Sequence, residues 1–283
     1  MKTTIALTTW TEHPALIHAH RPVALREYAQ SLPAVEVDTF FYALPQLKTI
    51  QQWINQVSPS FQFIVKAHQS MTRHPRSIIP DGMDLPEMFT RFRQVLQPMI
   101  ATDQLKTVLF QFPPQFTAEV KNIEYLMKVR ELMGDLPVAI ELRNQSWYRP
   151  GVVQSLVGYC RDLHLTLVAA DEPHQIQATV PFYLATTTPG LALIRLHGRN
   201  AQGWYHPGRE WRKQRTRYRY STAELQELVQ QIHQLQPQPR ELCVIFNNNS
   251  AGDAAPNALM LKKMLNLHFT GLVPHDPEQL DLF

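Results

Sequence analysis

The chain is punctuated by short, continuous apolar runs that stop abruptly at polar, ionisable or aromatic residues. Six stand out: AVEVDTFFY from Ala34, FQFIVKAH from Phe61, VLFQFPPQF from Val108, VAIELRNQSW from Val138, ALIRLHGR from Ala192 and CVIFNNN from Cys243. A strand with one wet face alternates apolar and polar residues. A strand that is apolar throughout is buried on both faces, as in a parallel sheet covered by helices. The polar clusters at the ends of the runs then fall where such a fold places its chemistry.

Between the runs lie segments with helical spacing. The predicted strands are 5–10, 34–41, 61–67, 107–112, 138–142, 166–170, 191–197 and 242–246. Helices are expected over 23–32, from Pro45 through the spacing Leu47, Ile50, Trp53, Ile54 and Val57, and over 85–99 with a bend or break at Pro98. Further helices are expected over 118–133, 151–163 and 256–267. Another begins at Ser221, an N-cap whose capping box is completed by Glu224, and runs to about Leu235. The stretch from Glu172 to Gly190 holds Pro173, Pro181, Pro189 and a Thr triplet, so an irregular loop is expected in place of a helix after the sixth strand. Strict strand–helix alternation over this length predicts a single-domain α/β fold, a TIM-like (β/α)8 barrel over 1–270 with an extended tail over 271–283. An open doubly wound sheet is the alternative, because alternation does not fix strand order. No GxGxxG or Walker-type loop is present, so a dinucleotide-binding or P-loop reading has no support.

The N-terminus has neither the apolar length nor the small-residue cleavage site of a signal peptide, and no run has the length of a membrane span. Cys160 and Cys243 fall in an expected helix and an expected buried strand, where they read as core residues. A reducing, cytoplasmic setting without membrane partners is expected. The net charge is +3, yet the stretch from Arg195 to Arg219 alone carries +7 and the remainder −4. That concentration makes a local field for an anion.

The strand-end motifs resemble the YecE-like family of proteins of unknown function. The matching pieces are Glu36-Val37-Asp38 through Phe41-Tyr42, Phe63 to Lys66, Gln111-Phe112-Pro113-Pro114, Glu141-Leu142-Arg143 with Ser146-Trp147, Arg195-Leu196-His197-Gly198-Arg199 and Phe246-Asn247-Asn248. They cover nearly the whole chain in family order. The resemblance implies a TIM-like barrel and no established reaction. One departure is visible: Thr8-Thr9-Trp10 stands where the family has a glycine-containing Thr-Ser-Gly-Trp turn.

Residues two apart on a strand face the same side. Glu36 and Asp38, Lys66 and His68, Glu141 and Arg143, and Arg195 and His197 form such pairs. The expected catalytic set is Glu36, Asp38, Lys66, Glu141 and His197, with Asp171 as a further candidate. Tyr42, His68, Gln111, Arg143, Trp147, Arg195, Arg199, Asn247 and Asn248 are candidates for holding a ligand or phosphate. The alternative is an ion-pair network that simply closes the barrel mouth. No His, Cys or carboxylate spacing demands a metal, although a divalent cation would suit phosphodiester chemistry. Lys66 is also a candidate for Schiff-base chemistry if its surroundings are dry enough.

Two further features point toward nucleic acid. After Gly198, aromatic residues alternate with cations, and Trp204, Trp211, Arg212, Arg215 and Arg217 are candidate nucleic-acid contacts. The chain ends Gln279-Leu280-Asp281-Leu282-Phe283, which resembles the short peptide that binds the bacterial replication sliding clamp, with Leu282 and Phe283 as apolar anchors. Three functions are therefore expected to compete. The first is a DNA-associated barrel recruited through its tail, a phosphodiester hydrolase or repair factor. The second is a hydrolase or lyase on a small sugar or phosphorylated metabolite, and the third is a non-catalytic binding barrel.

Overall fold

The computed structural model describes residues 1–75, 77–174, 179–205 and 211–274. Eight strands close into one parallel barrel in sequence order: β1 (Lys2–Thr8), β2 (Ala34–Val37), β3 (Gln62–Lys66), β4 (Leu105–Gln111), β5 (Val138–Glu141), β6 (Leu165–Asp171), β7 (Leu191–Leu196) and β8 (Glu241–Phe246). Closure is made by β1 against β8, with Ala6 opposite Ile245 and Leu7 opposite Phe246. No strand edge is left open, which removes the aggregation hazard of so many apolar segments.

The helices are α1 (Leu25–Tyr28), α2 (Leu47–Ile54), α3 (Leu85–Ala101), α4 (Val120–Met133), α5 (Val152–Asp162), α6 (Ala201–Tyr205), α7 (Trp211–Arg215), α8 (Thr222–Gln234) and α9 (Ala254–Met264), of which α6 and α7 lie at the barrel mouth. Among the described residues of 172–190 none is helical, as the prolines there dictate. The Ser221 hydroxyl accepts from the Glu224 N–H, and the Glu224 carboxylate accepts from the Ser221 N–H, so the expected capping box starts α8. α3 differs from expectation by continuing through Pro98 to Ala101. The carbonyl that Pro98 leaves without an intrahelical donor is that of Gln94, an exposed residue, where water can replace the lost bond. No described helix is long and apolar enough to cross a membrane.

The barrel lumen is layered. Its middle is apolar, filled by Ala6, Ala34, Ile64, Leu109, Ala139, Val168, Leu193, Cys243 and Ile245. At the N-terminal end of the strands, Lys106 and the Thr4 hydroxyl both donate to Glu241, each at 2.5 Å. The carboxyl end carries Glu36, Lys66, Gln111, Glu141 and Arg195, the next inward positions on β2, β3, β4, β5 and β7. Cys160 and Cys243 are both free and buried. Residues 271–274 lie along α1 and the start of β3, where Val273 donates to the Ala29 carbonyl and Ser60 to the Gly271 carbonyl at 3.0 Å.

Candidate active site at the barrel mouth

Arg195 organises the mouth. The fully enclosed guanidinium grips Glu36 with two bonds, Nε to Oε2 at 2.7 Å and Nη2 to Oε1 at 2.6 Å. Its Nη1 donates to Glu141 Oε2 at 2.5 Å and to Gln111 Oε1 at 3.1 Å. A planar fork against a carboxylate is the geometry arginine suits best. It leaves at most a single N–H of Arg195 for anything else, so this guanidinium is committed to the protein rather than to a phosphate.

Glu141 is the second hub. Its Oε1 accepts from Arg143 Nη1 and from His197 Nε2, both at 3.0 Å. Asn247 Nδ2 lies 2.9 Å from His197 Nδ1. An amide NH2 can only donate, so Nδ1 accepts and Nε2 carries the proton that reaches Glu141. Burial opposes the charge on Glu141, but Arg195, His197 and Arg143 together hold its carboxyl well below the usual range. Burial drives His197 down to about 3. At neutral pH, Glu141 is therefore a fixed carboxylate and His197 a neutral imidazole.

Two groups titrate nearer neutrality. Burial, reinforced by repulsion from Arg195, lowers Lys66 to about 8. Its ammonium lies 4.5 Å from the centroid of the Phe41 ring. Among the described residues no carboxylate lies within 4.0 Å of it, and Glu36 and Glu141 are paired with Arg195. Burial raises Glu172 to about 7 despite its ion pair with Arg143. Glu172 also accepts from the Val180 N–H at 3.1 Å. This residue is absent from the sequence-derived set, although counting in twos along β6, from Val168 through Ala170, leads to it.

A cavity of about 1000 Å³ opens above this network, lined by Glu36, Asp38, Tyr42, Lys66, Gln111, Arg143, Arg195 and Asn247 from the sequence-derived set. Thr8 and Glu12 line it as well. Burial and the nearby Asp38 raise the Glu12 pKa. The loop after β7 supplies Trp204, Lys213 and Arg215 to the wall. The Trp204 ring lies between two guanidinium groups, Arg143 at 5.3 Å and Arg215 at 4.8 Å from its centroid.

Other candidates sit elsewhere. Asp171 points to the outer side of the wall, where it takes Arg199 Nε at 2.9 Å and the Tyr220 hydroxyl at 2.6 Å. His68 caps a turn through Ser70, with Nδ1 2.8 Å from its hydroxyl. Trp147 donates to the Phe116 carbonyl at 2.7 Å and stacks on that ring. Asn248 donates to the Tyr218 carbonyl and to Asn257. Arg217 is exposed. The side chains of Trp211 and Arg212, and the whole of Gln279, Leu280, Leu282 and Phe283, lie outside what the structure describes. Among the described residues no group of three or more His, Cys, Asp or Glu is placed to hold a metal ion.

The turn after β1 retains the shape a glycine would give it. Thr9 has φ +59°, and its buried hydroxyl has no hydrogen-bond partner among the described residues.

Comparison with known proteins agrees with this architecture. UPF0759 protein YunF of Bacillus subtilis (strain 168) is 38% identical over 284 residues, 99% of each chain. The crystal structure of a DUF72 family protein from Enterococcus faecalis V583 superposes with a TM-score of 0.91 at 38% identity, covering 97% of this chain and 99% of the other. One from Thermotoga maritima MSB8 superposes with a TM-score of 0.78 at 28% identity, covering 94% and 100%. The family described as "Protein of unknown function DUF72" matches residues 4–280, so this barrel, with its arginine-centred mouth, belongs to the DUF72 family.

Proposed function

We propose that this barrel is an acid–base enzyme, a hydrolase or lyase, acting on a small phosphorylated or carboxylated metabolite held in the barrel mouth. The observation that carries the reading is the makeup of the cavity. Its wall holds Lys66, Arg143, Arg195, Lys213 and Arg215 against Glu12, Glu36 and Asp38. Its volume suits one small molecule. Cations outnumber carboxylates in this wall, which suits an anionic ligand. In this reading Lys66 changes its protonation during turnover, while Glu141 stays ionised and fixes Arg143, Arg195 and His197. The test is thermal unfolding with inorganic phosphate and a panel of sugar phosphates and keto acids. The wild type should be stabilised by at least one of them, and the double variant Lys213→Ala/Arg215→Ala should lose that response. No stabilisation by any compound at millimolar concentration would overturn the reading.

The second reading, recruitment to DNA, is favoured by the terminal Gln279-Leu280-Asp281-Leu282-Phe283 and by the cationic, aromatic stretch before α8. A tethered peptide would raise the effective concentration of the barrel near DNA. Deleting 279–283 should abolish capture by a bacterial sliding clamp and leave the unfolding midpoint unchanged. Replacing Arg212, Arg215 and Arg217 with Ala should weaken binding to DNA and flatten its salt dependence. Unchanged clamp capture and salt-independent binding would remove this reading.

A further inference from the structure

We propose that Lys66 is a nucleophilic lysine that condenses with an aldehyde or ketone group of an anionic substrate. This rests on the small-metabolite reading of the mouth and adds to it the chemical class of the reacting group.

The geometry singles out Lys66 among the lysines. It is the last residue of β3, lines the cavity, and sets its ammonium over the Phe41 ring. The charged groups that act on it from other parts of the barrel are Glu36 and Asp38 from β2 and the turn after it, Glu141 from β5 and Arg195 from β7. Glu36 and Glu141, both engaged by Arg195, and Asp38 favour the ammonium, but burial and the Arg195 charge outweigh them. Lys106 provides an internal contrast. Its side chain is 5% exposed, yet it is held in an ion pair with Glu241 at the opposite end of the barrel. One enclosed lysine is therefore tied down as a structural cation, and the other is presented to a cavity beside a guanidinium that disfavours its charge. A desolvated amine beside a fixed cation is the usual means of keeping a lysine neutral and nucleophilic near neutral pH.

The chemistry balances without a further reactant. The neutral Nζ lone pair adds to the carbonyl carbon, and the carbonyl π pair moves to oxygen, which takes up a proton. The resulting carbinolamine loses that oxygen as water, giving a protonated imine. The net change is amine, carbonyl and one proton to protonated imine and water. The cationic imine draws electrons from the adjacent carbon, so a C–H or C–C bond there can break. Water later hydrolyses the imine and restores the amine. Asp38 lines the same cavity and is available for the proton transfers, and Lys213 and Arg215 stand in its wall for the anionic end.

Pyridoxal 5′-phosphate is a suitable probe, because it carries both an aldehyde and a phosphate. The intact protein is incubated with it, reduced with sodium borohydride, digested and mapped by mass spectrometry. The proposal expects Lys66 to dominate the labelled sites, by at least about tenfold over the exposed Lys121 and the half-exposed Lys128, and Lys106 to stay unmodified. Labelling should rise with pH through a midpoint near 8 and fall when inorganic phosphate is added. Lys66→Arg should lose the dominant label. Label spread over the exposed lysines with Lys66 unmodified overturns the proposal, and this outcome is read on the wild type without relying on any variant's folding. If sugar phosphates stabilise the protein while Lys66 stays unlabelled, only the nucleophile falls. If Lys66 is labelled while no phosphorylated or keto-acid compound stabilises the protein, the lysine is reactive as proposed and the metabolite reading falls.

Discussion

Keeping an amine without a carboxylate partner in the barrel wall has a cost that pH should expose. Lys66 titrates at about 8 in the folded chain against 10.5 for an ordinary lysine. Between these values the unfolded chain binds the extra proton, so the contribution of Lys66 to stability rises with pH across that window. Below about pH 8 the full penalty of holding the ammonium applies. Lys66→Met should therefore stabilise the fold at pH 7 by roughly 1–3 kcal/mol, with the advantage shrinking toward zero by pH 10.5. Urea unfolding of both proteins at several pH values measures it, and an advantage independent of pH would rule out the ammonium as its source. Thr9 is a second site of strain. A β-branched residue at φ +59° crowds its own backbone, and its unpartnered buried hydroxyl adds to the cost. Thr9→Gly should raise stability by about 1 kcal/mol. An unchanged or lowered urea midpoint would mean that the Thr9 side chain makes up that cost through its packing.

The short helices after β7 deliver Trp204 and Arg215 to the cavity, and their contact depends on Gly203. A Cβ at this position would lie 2.6 Å from the carbonyl carbon and oxygen of Gln214 and 2.7 Å from the Arg215 nitrogen. These are backbone atoms, so α6 and α7 would have to part. Gly203→Ala should weaken phosphate-dependent stabilisation about tenfold, equivalent to ~1.4 kcal/mol, while the barrel's own urea midpoint barely moves. Equal affinity in the two proteins would show that the α6–α7 contact does not set the cavity wall. This pair of helices was not legible in the sequence. Five-residue helices carry too few turns for a periodic signal, and what holds them is a backbone approach seen only once folded. The strands were legible for the opposite reason: burial on both faces leaves an unbroken apolar run that needs no tertiary knowledge to read. The Ser221–Glu224 box was equally plain, because both partners lie within one turn. Facing was harder at strand ends. Asp171 and Glu172 are adjacent acids, and the end of β6 alone does not say which turns inward. Ala170 on the lumen side makes Glu172 the inward one, and a shift of one residue exchanges the faces.

Arg195 joins parts of the barrel that no backbone ladder connects. β7 pairs with β6 and β8, yet its arginine bonds to Glu36 on β2, Gln111 on β4 and Glu141 on β5. These links cross the lumen and bridge sequence separations of 159, 84 and 54 residues. They cap the apolar layer below with a sealed ionic one. Removing the cation would leave the enclosed Glu36 without its ion-pair partner and Glu141 with Arg143 alone, a change that typically costs about 3–5 kcal/mol, out of a total stability of roughly 5–15 kcal/mol. Arg195→Met should therefore lose a large part of the folding free energy. Adding Glu36→Gln and Glu141→Gln should recover some of it, because the uncompensated charges are gone. Acid should sharpen the contrast. Glu141 is held well below the ordinary glutamate value of 4.5, so its contribution is complete above that pH and is lost as pH falls through the lower folded value. Without Arg195 the folded value rises, and acid unfolding should begin at higher pH than in the wild type. If Arg195→Met unfolds in urea within about 1 kcal/mol of the wild type, a cost no larger than an exposed pair would show, and has the same acid midpoint, the cross-lumen network is not what closes the mouth.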